Sequence, residues 1–166
     1  MDFHKSLIAE FEHEAETTRK LIDATPDGAD FNYKPAEKSM TYSQLTGHVV
    51  SMFGDWAKMT LTQDSLDMKP DEYKPWLPTS KAELLEKLDG NVAATKNILS
   101  AFNAADWERS WKLTGNGQVY FELSKYMTWR TMVMNHIIHH RGQFSVYLRH
   151  FGAKLPGIYG PSADGM

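Results

Sequence analysis

The sequence predicts an all-α protein, a single-domain four-helix bundle with long connections that covers residues 1–166. Three observations support this prediction. Four stretches of about twenty residues or more carry apolar residues at helical spacing, and few runs alternate in the way of a strand. The length of 166 residues suits one domain with one hydrophobic core. No internal repeat or low-complexity segment indicates a second domain.

The first two helical stretches have clear start and stop signals. The first covers residues 2–24 and ends at a Thr-Pro-Asp-Gly cluster at residues 25–28, because proline and glycine disfavour a continuing helix. The second starts at Ser39 or Thr41, both suitable N-caps, and runs to Thr62. Its apolar face consists of Leu45, Val49, Met52, Phe53, Trp56 and Met59.

The last two helical stretches follow a proline-containing connection. The third runs to Asn103 and starts at Ser80, where Glu83 completes a capping box by reaching back to the Ser80 backbone. The fourth covers residues 122–151. Residues 118–121 are compatible with a short strand, which leaves the predicted class unchanged.

Charge and hydropathy exclude two classes of partner. Lysine and arginine number 18 and aspartate and glutamate number 21, so the formal net charge is −3. A pI near 6.1 indicates no basic surface for nucleic acid. No apolar run is long enough to span a membrane, and the charged first residues lack the apolar core of a signal peptide. The expected location is therefore cytoplasmic.

Several kinds of catalytic site are absent from the sequence. There is no cysteine, which excludes disulfides, thiolate metal ligands and a cysteine nucleophile. The zinc-protease pattern H-E-x-x-H is not met, because the residue after His136 is Ile137. Neither a P-loop nor a G-x-G-x-x-G motif is present.

The histidines are the most informative residues. The chain has seven, and three of them lie within residues 136–140. At about 100° per residue, His136 and His140 both point to the apolar face of the fourth helix, and His139 lies about 100° away from that face. Their Cβ atoms lie about 6 Å apart, a spacing at which both rings can bind one ion. This pattern favours a metal site over the alternative of two hydrogen-bonded core histidines.

His48 is the third candidate ligand. It lies at the edge of the buried face of the second helix, where it can reach a neighbouring helix. Asp55 follows about two turns later on nearly the same side. It either orients a ligand, joins the site or is solvated, and the residues alone leave these roles open.

Two motifs carry a resemblance to a known family. They are Gly47-His48-Val49 in the second helix and the stretch HIIHHRGQ at residues 136–143 in the fourth. The chain resembles the DinB/YfiT-like family of metal-dependent enzymes over nearly its whole length. Residues 152–164 are similar to the C-termini of many members.

The resemblance implies one divalent ion held by three histidines, one from the second helix and two from the fourth. In this sequence these residues are His48, His136 and His140, with His139 as a neighbour. The ion is expected to be zinc, nickel, cobalt or iron(II), since imidazole suits all of them. The resemblance also implies a homodimer.

Characterised branches of this family resemble thiol-dependent S-transferases and isomerases that use bacillithiol, mycothiol or glutathione. The expected function is therefore metal-dependent transfer of an external low-molecular-weight thiol to a small-molecule substrate. Two alternatives stay open: a stress- or damage-induced metal-binding protein without turnover, and an interaction bundle with structural histidines. Most of the five tryptophans lie at core positions; Trp76 and Trp107 lie in connections and are either core residues or candidate pocket residues. Asp55 and Tyr73 are candidates for positioning the thiol, and Arg141 is predicted to form a salt bridge or to contact a partner.

Overall fold

The structure is a computed structural model that describes residues 2–165. Four long helical runs are present in the predicted order, and two of them contain a turn of π-helix, at Met52–Trp56 and Trp129–Met134. The α-helical segments are α1 (Phe3–Asp23), α2 (Tyr42–Ser51), α3 (Ala57–Thr62), α4 (Lys81–Ala101), α5 (Lys125–Thr128) and α6 (Asn135–His150). The first π-turn joins α2 to α3, and the second joins α5 to α6. Short 3-10 turns occupy Pro70–Glu72 and Ala104–Glu108.

Side-chain caps fix the helix starts, with one difference from the prediction. Thr41 Oγ1 accepts from the Gln44 backbone N–H at 3.1 Å, and the Thr41 N–H donates to the Gln44 side chain at 2.8 Å. Ser80 Oγ accepts from the Glu83 N–H at 3.2 Å. The Glu83 carboxylate, however, accepts from the backbone and hydroxyl of Thr79, not from the Ser80 backbone. The capping box predicted at Ser80 is therefore only half formed.

The described residues also contain a small three-stranded sheet, so the prediction of a purely all-α fold was wrong in this respect. The strands are β1 (Ser65–Met68), β2 (Ser110–Gly115) and β3 (Gln118–Ser124). The central strand β2 pairs in parallel with β1 and antiparallel with β3. The fold is thus mostly helical, with a sheet built from the two long connections.

Asn116 and Gly117 form the turn of the β2–β3 hairpin. Asn116 and Gly117 have φ angles of 52° and 74°. Two consecutive residues with positive φ form the kind of tight turn that matches the twist of paired strands. Because residues 122–124 pair within β3, the last helical run begins at Lys125 and not at Glu122.

A buried lysine joins this helix start to the end of α3. Lys125 Nζ donates to the carbonyls of Thr60, Leu61 and Gln63, and lies 3.1 Å from the Asp64 carboxylate. The last carbonyls of a helix have no intrahelical donor and carry partial negative charge. The ammonium satisfies them and fixes the point at which the chain leaves α3 for β1.

Aromatic side chains fill the centre of the bundle. The Phe11 ring of α1 lies 5.5 Å from Phe53 and 5.6 Å from Trp129, measured between ring centroids. All three are fully buried, and burial of a large apolar side chain stabilises the fold by about 1.5–3 kcal/mol. Phe53 and Trp129 belong to the two π-turns, which therefore meet in the core.

The outer faces of the helices are charged. Lys96 of α4 pairs with Glu12 of α1, and Arg19 of α1 pairs with Asp89 of α4. Exposed pairs of this kind contribute at most about 1 kcal/mol each, so apolar packing holds these helices together. Within residues 2–165 no helix combines the length and the apolar character needed to cross a bilayer.

Candidate metal centre

Three histidines that are distant in the sequence converge between α2 and α6. His48 lies on α2, and His136 and His140 lie one turn apart on α6. The ring centroid of His140 is 4.7 Å from those of His48 and His136, and the latter two are 5.1 Å apart. One ring nitrogen of each residue lies within 4.8 Å of the others. The structure thus brings together the three residues that the sequence analysis named.

The spacing of the ring nitrogens is compatible with a single metal ion. Tetrahedral coordination with metal–nitrogen bonds of about 2.1 Å places two ligand nitrogens about 3.4 Å apart. His48 Nε2 and His136 Nε2 are 3.4 Å apart. In the metal-free protein the same distance permits a long N–H···N hydrogen bond. The group can therefore hold a metal ion, and without an ion the same residues can be joined by this hydrogen bond.

Burial favours the neutral form of all three imidazoles. It lowers the pKa of His48 to about 4, and the neighbouring charges of His140 and His136 act in the same direction. Burial also lowers the pKa values of His136 and His140. A neutral imidazole offers the lone pair that a metal ion requires, whereas a protonated one does not. The cluster can thus accept a cation near neutral pH without first losing protons.

A glutamine sets the tautomer of His140. Gln143 lies one turn further along α6, and its Oε1 is 2.8 Å from His140 Nδ1. An amide oxygen can only accept, so Nδ1 carries the proton and Nε2 keeps its lone pair. The Gln143 amide nitrogen in turn donates to His139 Nε2 at 3.1 Å. His139 is exposed and lies outside the group of three, where it orients the glutamine.

A glycine next to His48 allows another segment to pack closely on α2. A Cβ atom on Gly47 would lie 2.3 Å from the carbonyl oxygen of Trp76 and 2.9 Å from Pro78 Cδ. The Ser43 hydroxyl holds the same segment by donating to the Pro78 carbonyl at 2.7 Å. This contact fixes the position of α2 at the level of the candidate ligand.

The π-helical turns lie next to the site, one directly after α2 and the other directly before α6. Helix α4 supports the first turn from the side. Asn91 Nδ2 donates to the Val50 carbonyl at 2.9 Å, and Thr95 Oγ1 donates to the Phe53 carbonyl at 2.6 Å. Such bonds satisfy carbonyls that the wider turn leaves without their usual donor. Local widening of this kind is frequent at functional sites.

A cavity of about 610 Å³ opens beside His48. The first π-turn and its flanking helices form one side, and β1 with the residues after it forms the other. Asp55 and Tyr73, two candidates from the sequence, both line this cavity. Trp107 does not meet the expectation of a pocket residue, because it is 2% exposed and packs in the core. Trp76 faces a separate surface depression beside α4.

Comparison with known proteins settles the family. The profile of the DinB family matches residues 1–166, which is the whole chain. The chain belongs to the DinB family.

Individual relatives agree with this assignment. The Bacillus subtilis protein "Uncharacterized protein YrdA" is 27% identical over 159 residues, covering 95% of this chain and 88% of the relative. The crystal structure of the DinB-like protein YjoA from Bacillus subtilis aligns with a TM-score of 0.70, at 22% identity, over 93% of this chain and 99% of that one. A DinB-like protein from Bacillus cereus aligns with a TM-score of 0.68 at 19% identity, over 93% of this chain and 97% of that one. These structural likenesses concern the fold.

In this DinB-family protein the residue after His140 points away from the cluster into a buried ion pair. Arg141 contacts the Glu14 carboxylate, and the two side chains are only 3% and 6% exposed. The Tyr159 hydroxyl accepts from Arg141 and donates to Glu14 at 2.9 Å. The salt bridge predicted for Arg141 is confirmed. It ties α6 to α1 and to the C-terminal segment.

Two features escaped the sequence analysis. Glu14 had a detectable signal, because it lies three residues after Phe11 and four before Thr18 on the apolar face of α1, where a charge needs a partner. Leu66 and Met68, which line the cavity, had none. Their position depends on β1 pairing with a strand that comes much later in the chain.

Proposed function

We propose that this protein is a metal-dependent enzyme that joins the sulfur of a low-molecular-weight thiol to an electrophilic carbon of a small molecule. His48, His136 and His140 hold the divalent ion in this proposal. The observation that carries it is the convergence of three neutral imidazoles within 4.8 Å, beside an open cavity. Enzyme sites typically combine convergent polar groups with a cavity of this kind.

The ligand set suits catalysis because three protein ligands leave a fourth position for water or substrate. A divalent ion held by these residues would supply a positive charge that lowers the pKa of a thiol or water bound to it. The chain's own contribution is to keep the imidazoles neutral and oriented. Burial keeps the imidazoles neutral, and the hydrogen bond from His140 to Gln143 orients the His140 ring.

The sulfur must come from outside, since the chain has no cysteine. In the proposed reaction the thiol releases its proton to solvent. The sulfur then forms a bond to the electrophilic carbon, and the leaving group departs with the electron pair of its bond to that carbon. Bacillithiol, mycothiol and glutathione are the thiols to test.

Two alternatives make different predictions. A stress- or damage-induced metal-binding protein without turnover binds the ion but shows no thiol-dependent rate. An interaction bundle with structural histidines binds no ion at stoichiometric levels. The cavity beside His48 favours the enzyme, because a storage or structural site has no need of an open space for a second molecule.

The experiment measures thiol transfer to monochlorobimane, whose chloride leaves as the C–S bond forms. Zinc-, nickel- and iron(II)-loaded protein is incubated with each thiol, beside the His140→Ala variant and a His139→Ala control. The proposal predicts a thiol-dependent rate that His140→Ala abolishes and His139→Ala largely retains. Equal rates for the wild type and His140→Ala with every thiol and metal would reject this chemistry and favour binding without turnover.

A further inference from the structure

The size and the lining of the cavity beside His48 indicate the kind of molecule that it binds. Its volume of about 610 Å³ lies in the range of small-molecule sites, about 300–1,000 Å³. The apolar part of the lining consists of Trp56, Met59, Leu66 and Met68, all partly buried. A ligand that displaces water from these side chains must have an apolar body, and the Trp56 ring favours one that stacks or carries positive charge.

The charged residues that line the cavity are all exposed to solvent. Asp55, Asp67 and Glu72 line it and are exposed, whereas the apolar residues are partly buried. The lining contains one cationic residue, Lys69, whose ammonium lies 3.4 Å from Glu72 and is thereby paired. Two carboxylates therefore have no positive partner within the lining.

The same negative charge acts on the tyrosine of the cavity. Burial raises the pKa of Tyr73, and the Asp55 carboxylate raises it further. A carboxylate that opposes ionisation of a neighbouring hydroxyl also repels an incoming anion and attracts a cation.

We propose that this cavity binds the electrophilic substrate of the histidine site, not the thiol, and selects one with an apolar body and a positively charged amine, which lies near the exposed carboxylates of Asp55 and Asp67. A neutral molecule of the same shape binds less tightly, and a carboxylate is rejected. The assignment of this ligand as the substrate rests on the function proposed above. The charge selectivity rests only on the lining residues.

Three probes of one shape test the selectivity: 2-phenylethylamine, 2-phenylethanol and phenylacetate. Binding is measured by NMR titration of isotope-labelled protein at pH 7.5, without metal and with zinc. In the metal-free protein the amine is expected to bind about five- to tenfold more tightly than the alcohol, and phenylacetate the most weakly. The backbone signals of Leu66 and Met68 should shift on binding, and added salt should reduce the preference.

The charge is tested by the double variant Asp55→Asn, Asp67→Asn, with Glu86→Gln on the outside of α4 as a control. The double variant should lose most of the preference for the amine, and the control should keep it. Phenylacetate binding to the metal-free protein as tightly as the amine overturns the proposal. So does an unchanged preference in the double variant, or binding that shifts only signals outside the cavity.

The result of the binding experiment can be distinguished from the result of the thiol-transfer experiment. Probe binding to metal-free protein requires neither an ion nor turnover, so selective binding without thiol transfer rejects the proposed reaction and leaves the cavity's selectivity standing. Thiol transfer without charge selection among the three probes rejects the cavity's selectivity and leaves the proposed reaction standing.

Discussion

His140 Nδ1 donates to Gln143 Oε1 at 2.8 Å, and this one bond determines which nitrogen of the buried imidazole is free. A hydrogen-bond partner on the ring nitrogen that does not bind the metal fixes both the tautomer and the ring orientation of a histidine ligand. The stretch that resembles the family motif therefore contains a ligand and the residue that positions it, separated by one helical turn.

Loss of this bond should weaken metal binding without abolishing it. Gln143→Ala is expected to lower zinc affinity about 10- to 100-fold, the usual effect of removing a ligand's hydrogen-bond partner. Gln143→Glu keeps an acceptor at the same position and should bind more tightly than Gln143→Ala. Competition with a chelator of known affinity measures both, with Gln118→Ala in the β2–β3 hairpin as the control. Affinity of Gln143→Ala equal to the wild type would contradict the positioning role.

Two glycines in helices should respond in opposite ways to alanine. In Gly47→Ala the new Cβ meets the Trp76 carbonyl oxygen, so we expect a loss of about 1–3 kcal/mol in the free energy of unfolding. Gly90 in α4 has open space around it, and Gly90→Ala should stabilise the protein by about 0.5–1 kcal/mol. Denaturant unfolding measures both variants. Equal effects at the two positions would show that the segment containing Trp76 can move away from α2 to accommodate the new Cβ atom.

The buried pair of Glu14 and Arg141 should be costly to break from one side. Arg141→Met leaves a buried carboxylate without its cation, and we expect a loss of about 3–5 kcal/mol. The double variant Glu14→Leu, Arg141→Met removes both charges and should recover most of this loss. Lys5→Met in the exposed pair with Asp2 serves as control and should change stability by at most about 1 kcal/mol. A double variant as unstable as Arg141→Met would contradict this account.

Acid should loosen the link between α3 and β1. The hydrogen bond from Lys125 holds the pKa of Asp64 below its ordinary value of 3.8, and Arg109 acts in the same direction. A carboxyl with a lowered folded-state pKa contributes stability above its unfolded pKa and loses it as the pH falls through the folded value. NMR titration of the Asp64 carboxyl should give a midpoint below 3.8 that Lys125→Met raises. A midpoint at or above 3.8 in the wild type would contradict the contact.

The helices and the orientation of the histidines could be predicted from local sequence, because both follow from helical periodicity and capping. His136 and His140 are the clearest example: the angular argument places them inward and His139 outward, and the structure agrees. Thr41 and Ser80 are N-caps for the same reason. Periodicity also predicts that the edge of the second helix carries His48, which the fold then brings to α6.

Of the sheet, only the strand at residues 118–121 could be predicted from local sequence, as part of β3, and the cavity could not be predicted. Strand β1 has only four residues and pairs in parallel with β2, so its partner leaves no signal nearby in the sequence. The first π-turn is likewise supported by Asn91 and Thr95, which α4 supplies from elsewhere in the chain. Charged residues of the connection, such as Asp67, become cavity residues only after these long-range contacts form.

The central claim is that His48, His136 and His140 hold one divalent ion. Elemental analysis of protein purified without a histidine tag, before and after loading with zinc, tests it most directly. We predict about one ion per chain in the loaded wild type and in His139→Ala, and little bound metal in His48→Ala, His136→Ala and His140→Ala. Loss of the metal in His139→Ala with retention in His140→Ala, or no stoichiometric metal in the loaded wild type, would contradict the account.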